Sequence, residues 1–322
     1  MKHTQNPLII AHRGGSALAP ENTLFAIRKA IELGADGVEF DLQITRDEEI
    51  VLYHDDRLNP KTTRQGRHLL EPPTPRVHDL SLDELKRLDL GRDDRYANSS
   101  DYPDFQANPG EQIASFDEFM ALIMDKAPAG FKLYPELKTN LVSKHEAEAL
   151  ANAFIQRVHQ YDLAKSVHVV SFNWNCLSTL RETYPDIQHA YTTFPFYKTD
   201  PDVTHNHEQK NSDANEAAET KLLRAASASG APWCGDYDWR DQIGDSHAER
   251  VIRAIAAASG KGWFAFHGDI NAETMALAQA LELEVSAWTV NDTETMQRLK
   301  DLGVAAIITD RPDLAIQYFS DK

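Results

Sequence analysis

Apolar and polar positions follow two periods along this chain. Short apolar runs at residues 8–11, 37–45, 50–53, 130–137, 167–171, 188–192, 263–266, 284–288 and 305–309 read as strands. Between them, apolar residues recur at helical spacing over residues 23–33, 144–159, 175–183, 272–281 and 293–302. In the first of these stretches Leu24, Ile27, Ala30 and Ile31 share a face, and Gly34 is the stop. About eight strands alternating with helices predict a parallel sheet, and a closed (β/α)8 TIM barrel is the simplest arrangement.

Two segments break this rhythm. Residues 55–112 are rich in Pro, Gly, Asp and Arg, with one helical piece at 81–88. Residues 194–246 form the other, with a helical stretch at 216–229. Long loops in compact domains are often functional. Both read as insertions on one barrel domain covering residues 1–322.

The strand at 37–45 carries the first chemical signal. Side chains alternate faces along a strand. Val38, Phe40, Leu42 and Ile44 therefore share one face, and Glu39, Asp41 and Gln43 the other. With the apolar face packed on helices, the acids point into the barrel. Two inward carboxylates cannot both stay charged there without a cation, which suggests a divalent metal with hard oxygen ligands. The alternative is an amphipathic strand of an antiparallel sheet with its polar face in water. Glu136 and Lys138 share a face in the same way. They read as a third metal carboxylate and a phosphate-holding cation, or as a surface ion pair.

His12 and His54 each follow an apolar run, at the rim where barrel enzymes place their chemistry. Histidine moves protons near neutral pH, so the pair suits a base and an acid on opposite sides of one phosphorus. Arg13 stands beside one of them, and Gly14 and Gly15 let backbone approach an anion. Trp288 reads as a pocket wall or as core packing. Asp310, just ahead of Pro312, reads as a helix cap. Glu21 precedes Asn22 and Thr23, either of which could cap the first helix, and could brace Arg13 or the metal shell. His205 and His207 lie in a polar loop and read as solvated.

Composition narrows the partners. The chain of 322 residues carries a formal charge of −17, which argues against nucleic acid and against an anionic membrane surface. A small anionic substrate remains compatible, because a basic pocket can sit in an acidic body. No apolar run reaches membrane-spanning length. Cys176 and Cys234 lie far apart in no metal-like spacing, and read as unpaired thiols. The polar start before Leu8 shows no leader, so the expected compartment is the cytoplasm, or the periplasm if a leader was removed. Neither a phosphate-binding glycine loop with lysine nor a dinucleotide fingerprint is present.

Together these motifs resemble one family. His12-Arg13-Gly14, Pro20-Glu21-Asn22-Thr23, Gly34-Ala35-Asp36, Glu39 with Asp41, His54-Asp55, Glu136 with Lys138, Trp288-Thr289-Val290-Asn291 and Thr309-Asp310 with Pro312 look like the glycerophosphodiester phosphodiesterases, in that family's order. The resemblance implies a (β/α)8 barrel that hydrolyses glycerophosphodiesters to sn-glycerol 3-phosphate and an alcohol. It implies His12 and His54 as the acid/base pair. It implies Glu39, Asp41 and Glu136 as ligands of magnesium or calcium, Arg13 and Lys138 as phosphate contacts, Glu21 as a residue of the same pocket, and Trp288 as its wall. Lys61-Thr62-Thr63 departs from the commoner Arg-Thr-Thr, and Pro135 before Glu136 resembles a subgroup that includes periplasmic enzymes. Other readings of the same residues are a lysophospholipase D-like enzyme and a non-catalytic binder of glycerophosphodiesters.

Overall fold

The computed structural model describes residues 6–92, 102–202 and 214–320, with side chains of the last stretch from residue 220 onward. In chain order the strands are β1 (Leu8–His12), β2 (Gly37–Ile44), β3 (Ile50–Leu52), β4 (Arg64–Gln65), β5 (His68–Leu69), β6 (Leu88–Asp89), β7 (Ala114–Ser115), β8 (Lys132–Leu137), β9 (His168–Ser171), β10 (Gln188–Thr192), β11 (Gly262–Phe266), β12 (Glu284–Trp288) and β13 (Ala306–Thr309). Eight of them close into a parallel ring that runs β1, β2, β8, β9, β10, β11, β12, β13 and back to β1. The helices are α1 (Leu24–Leu33), α2 (Leu82–Leu85), α3 (Phe116–Lys126), α4 (Lys144–Gln160), α5 (Trp174–Thr183), α6 (Phe196–Thr199), α7 (Ala214–Ala228), α8 (His247–Ala257), α9 (Ala272–Ala280), α10 (Thr293–Leu302) and α11 (Pro312–Ser320). The expected (β/α)8 barrel is what forms.

Local chemistry fixes the helix ends. Thr23 is the N-cap of α1, its hydroxyl accepting from the Ala26 N–H, and Gly34 ends the helix in the left-handed region. At α3, Ser115 and Glu118 form a reciprocal capping box. The apolar face of β2 packs outward: the Phe40 ring lies 4.2 Å from that of Phe119 on α3. Inside the barrel, Ile10, Tyr134, Val170, Ala190, Phe264, Ala306 and Ile308 form a separate buried cluster. This plug leaves the polar interior positions to the C-terminal rim.

One expected strand is misplaced by the sequence reading. Residues 50–53 resemble a barrel strand, yet β3 runs antiparallel to β2, pairing Leu42 with Leu52 and Ile44 with Ile50. Only residues 45–49 join the two strands, too few for the crossover of roughly a dozen residues that parallel pairing requires. His54 therefore does not end a barrel strand. It returns to the rim on a hairpin, held by the Tyr53 N–H donating to the Asp41 carbonyl at 3.0 Å.

The segment 55–112 adds the small antiparallel sheet of β4, β5 and β6. It builds a core of its own around Leu58, Val77, Leu85 and Leu88, shared with Val51 and Tyr53 of the hairpin. Its helix is shorter than expected, four residues at α2. The helix expected at 216–229 is α7, and the Trp239 indole reaches back to the Ser227 carbonyl at 2.9 Å. Among the described residues no helix is long and apolar enough to cross a membrane.

Candidate active site

At the end of β1 the chain turns sharply. Arg13 has φ 52° and Gly14 φ 88°. A Cβ on Gly14 would lie 2.7 Å from the Ala26 Cβ, so α1 packs directly on this turn. The turn aims the Arg13 guanidinium inward. It donates to Glu21 Oε2 at 3.0 Å, and its Nε lies 3.3 Å from Asp41 Oδ2. The Arg13 backbone N–H donates to Glu39 Oε2 at 3.1 Å. Glu21 thus braces Arg13. Asn22 does not cap α1. Its amide donates to Asp41 Oδ2 at 2.8 Å, and its oxygen accepts the Asp41 N–H at 3.1 Å.

The parallel register of β2 and β8 sets Asp41 opposite Glu136. Glu39, Asp41 and Glu136 each offer an oxygen within 4.8 Å of the others, and all three are buried. Lys138 closes the group, with Nζ 2.9 Å from Glu136 Oε1 and 3.5 Å from Asp41 Oδ1. Burial, then the charges of Asp41 and Glu136, raise the Glu39 carboxyl well above the usual carboxylate range. Burial opposes ionisation of Asp41 as well, but Lys138, His54 and Arg13 outweigh it and hold that carboxyl low. Burial likewise opposes the charges of Lys138 and Arg13. For Lys138, Glu136 and Asp41 prevail; for Arg13, Glu21 and Asp41 do.

These carboxylates fit a cation. Glu39 Oε1 and Asp41 Oδ1 are buried and accept no hydrogen bond from the described residues. A buried carboxylate oxygen without a hydrogen bond is costly, and the three acids together offer a hard divalent ion oxygen ligands of the kind it prefers.

Each histidine is anchored through Nδ1. His12 Nδ1 lies 2.6 Å from Asp310 Oδ1. Asp310 also accepts from Ser16 Oγ at 2.5 Å and from the Asn291 amide at 2.7 Å. Burial disfavours its charge, but His12, Ser16 and Asn291 keep it well below the usual carboxylate range. An ionised Asp310 has no proton to give, so the proton of this bond sits on Nδ1 and Nε2 is left for chemistry. His54 Nδ1 lies 2.7 Å from Asp55 Oδ1, and Asn59 donates to the other Asp55 oxygen at 2.7 Å. Burial, with Lys138 and Arg13 adding to it, pushes the His54 pKa down.

His12, Arg13, Glu39, His54, Glu136 and Lys138 line one cavity of about 150 Å³, together with Phe172, Thr192, Phe264, Trp288 and Thr289. The charged groups come from the ends of β1, β2 and β8 and from the hairpin. The rings come from the other side of the barrel. Trp288 walls the cavity, its indole N–H donating to the Phe264 carbonyl at 3.1 Å. Lys61 is exposed. His205 and His207 lie outside the described residues. Cys176 and Cys234 are both buried and unpaired.

Sequence reasoning missed several contributors, Asp310, Asn22, Asp55 and Phe172 among them. Asp310 was expected as a cap, and Asn22 as another. Asp55 and Phe172 carried no role. The adjacency of Asp55 to His54 was a usable signal. Phe172, a single aromatic after a strand, offered none.

Comparison with known proteins bears on this cavity. The pattern of the "Glycerophosphoryl diester phosphodiesterase family" matches residues 12–314. A protein of Bacillus altitudinis named glycerophosphodiester phosphodiesterase is 25% identical over 310 residues, covering 96% of this chain and 96% of its own. A solved protein of Silicibacter pomeroyi DSS-3 superposes with a TM-score of 0.77 at 24% identity, covering 99% of this chain and 95% of its own. An Oleispira antarctica phosphodiesterase, solved with the product sn-glycerol-3-phosphate, superposes at 0.65 with 22% identity, covering 98% of this chain and 97% of its own.

Proposed function

Because the chain belongs to the glycerophosphoryl diester phosphodiesterase family, a family of phosphoric diester hydrolases, we propose that it cleaves glycerophosphodiesters to sn-glycerol 3-phosphate and an alcohol at the cavity between His12, His54 and the three acids. One observation carries this reading. Two carboxylate-anchored histidines, a buried trio of acids and two cations line or border a single cavity.

Glu39, Asp41 and Glu136 would hold a divalent ion, magnesium or calcium. When bound, that ion neutralises charge on the phosphoryl oxygens. Arg13 and Lys138 would hold the phosphate, Arg13 with its fork steadied by Glu21 and Lys138 as a point charge. His54, its pKa lowered by its surroundings, accepts the proton of the attacking oxygen: either water, which gives glycerol 3-phosphate directly, or the substrate's own glycerol 2-hydroxyl, which gives a cyclic phosphate that water then opens to glycerol 3-phosphate. His12 donates to the leaving alkoxide from Nε2, and Asp310 at Nδ1 stabilises its imidazolium form. Trp288 bounds the apolar side of the pocket.

The test is release of glycerol 3-phosphate from glycerophosphodiesters by the full chain with magnesium, with calcium and with a chelator. His12→Ala and His54→Ala should each lower turnover by about two orders of magnitude or more with the fold retained. Near-normal turnover in either variant, or activity that survives exhaustive chelation, would sink the assignment.

A further inference from the structure

The cavity has one hydroxyl for which the fold supplies no partner. Thr192 ends β10 and lines the cavity on the side of the rings. Alternation along the strand gives it the same face as Ala190, which belongs to the buried plug of the barrel. Its ladder neighbour on β11 is Phe264, another member of that plug. The residue is 1% exposed, and its Oγ1 has no hydrogen-bond partner among the described residues. Thr193, on the opposite face, behaves differently: its hydroxyl accepts the Trp263 indole N–H at 2.9 Å. Thr192 also borders a cavity of about 20 Å³ outside the barrel, but alternation directs its side chain away from there. Its backbone is held by the Trp174 indole N–H, which donates to the Thr192 carbonyl at 3.2 Å.

We infer that Thr192 is a specificity-determining residue whose hydroxyl pairs with the terminal hydroxyl of the glycerol arm, the one farthest from phosphorus. The inference rests on the hydrolase reading above and deepens it. A buried hydroxyl without a partner weakens a fold, and a valine of the same shape would avoid that loss. A hydroxyl kept there against stability points to a ligand. Size and elimination identify its partner. A cavity of about 150 Å³ is small for a binding site, so one arm of a diester lies inside and the other stays at the mouth. The alcohol varies among glycerophosphodiesters and the glycerol does not, so the closed floor suits the glycerol. Its 2-hydroxyl is a candidate nucleophile and belongs beside His54. The terminal hydroxyl makes no bond in either route and needs only a partner. Among the residues lining the cavity, Thr192 and Thr289 carry hydroxyls, and Thr192 is the fully buried one. A threonine hydroxyl can donate or accept, and its branched side chain holds the oxygen in place.

The experiment uses the full chain with saturating magnesium or, where that metal gives no turnover, calcium. Two nitrophenyl phosphodiesters are compared, one of glycerol and one of propylene glycol, which lacks only the terminal hydroxyl and keeps the 2-hydroxyl. Nitrophenol release gives kcat and KM for each. The wild type should prefer the glycerol ester by about tenfold or more in kcat/KM. Thr192→Val should bring that ratio down to about one, and Thr192→Ser should keep most of it. Without substrate, Thr192→Val should melt at or above the wild-type temperature, because a buried unpaired hydroxyl is gone. The ratio between the two esters cancels any loss of folded enzyme. A wild-type ratio near one, a ratio that Thr192→Val leaves unchanged, the same loss in Thr192→Ser, or a clear fall in the melting temperature of Thr192→Val overturns the assignment and leaves the hydrolase reading intact. Absence of nitrophenol from both esters with either metal overturns the hydrolase reading and takes the role of Thr192 with it.

Discussion

His12 Nδ1 and Asp310 Oδ1 lie 2.6 Å apart although 298 positions separate them in the chain. Closure of the barrel brings them together, because β13 pairs with β1 in parallel. Asp310→Asn keeps the shape but can present its amide N–H to the ring, favouring the wrong tautomer. It should lower kcat by about two to four orders of magnitude. A steady-state assay alongside a melting curve checks this, since the melting temperature should move far less than the rate. Wild-type kcat in Asp310→Asn would remove Asp310 from the mechanism.

Burial lowers the His54 pKa, with Lys138 and Arg13 adding to the effect. A protonated His54 cannot accept a proton, so activity should fall on the acid side only below the ordinary histidine value of about 6.5. Lys138→Met removes one of the causes. NMR titration of the metal-free protein should then show the His54 pKa rising. A downward shift would mean that Lys138 does not face the imidazole.

Glu39 holds a proton more tightly than an ordinary glutamate because it is buried beside two other acids. A cation must displace that proton. Calorimetric titration with magnesium or calcium in buffers of different ionisation enthalpy should therefore show proton release that grows as the pH falls. Glu39→Gln should bind the metal more weakly and lose this buffer dependence. Identical heats in every buffer for the wild type would contradict the coupling.

Two glycines with left-handed backbone make a controlled pair. Gly14 has φ 88° and no room for a Cβ, whereas Gly34 has φ 85° and nothing within 4 Å of one. Gly34→Ala should cost about 1 kcal/mol from backbone conformation alone. Gly14→Ala should cost about 3 kcal/mol or more, because α1 must also be pushed off the turn. Urea unfolding of both variants measures the difference, and equal losses would show that the turn relaxes freely.

What could be read beforehand follows the range of the interactions. The alternation along residues 38–44 is local, so Glu39 and Asp41 announced their inward face from neighbouring residues alone. Glu136 with Lys138 did the same. Asp310 did not, because the residues around it spell a helix start while its partner stands at the other end of the chain. The direction of β3 was in principle readable from the shortness of residues 45–49, but its apolar composition matches a barrel strand. Asn22 lost the cap to Thr23 because a carboxylate on the neighbouring strand β2, Asp41, held it instead. Phe172 had no local mark at all, since an aromatic after a strand is as common in a core as at a mouth.

Strand β2 is the common reference for the whole candidate site. Its ladder sets His12 beside Glu39, Asp41 beside Glu136, and Leu42 beside Leu52 on the way to His54. A single residue inserted or deleted within 37–44 would turn Phe40 and Leu42 into the cavity and the acids out of it. The same change in the loops of residues 55–112 leaves every one of these pairings in place. Length variation among relatives, and any engineering of the mouth by loop grafting, should therefore accumulate after His54 and be purged between Gly37 and Ile44.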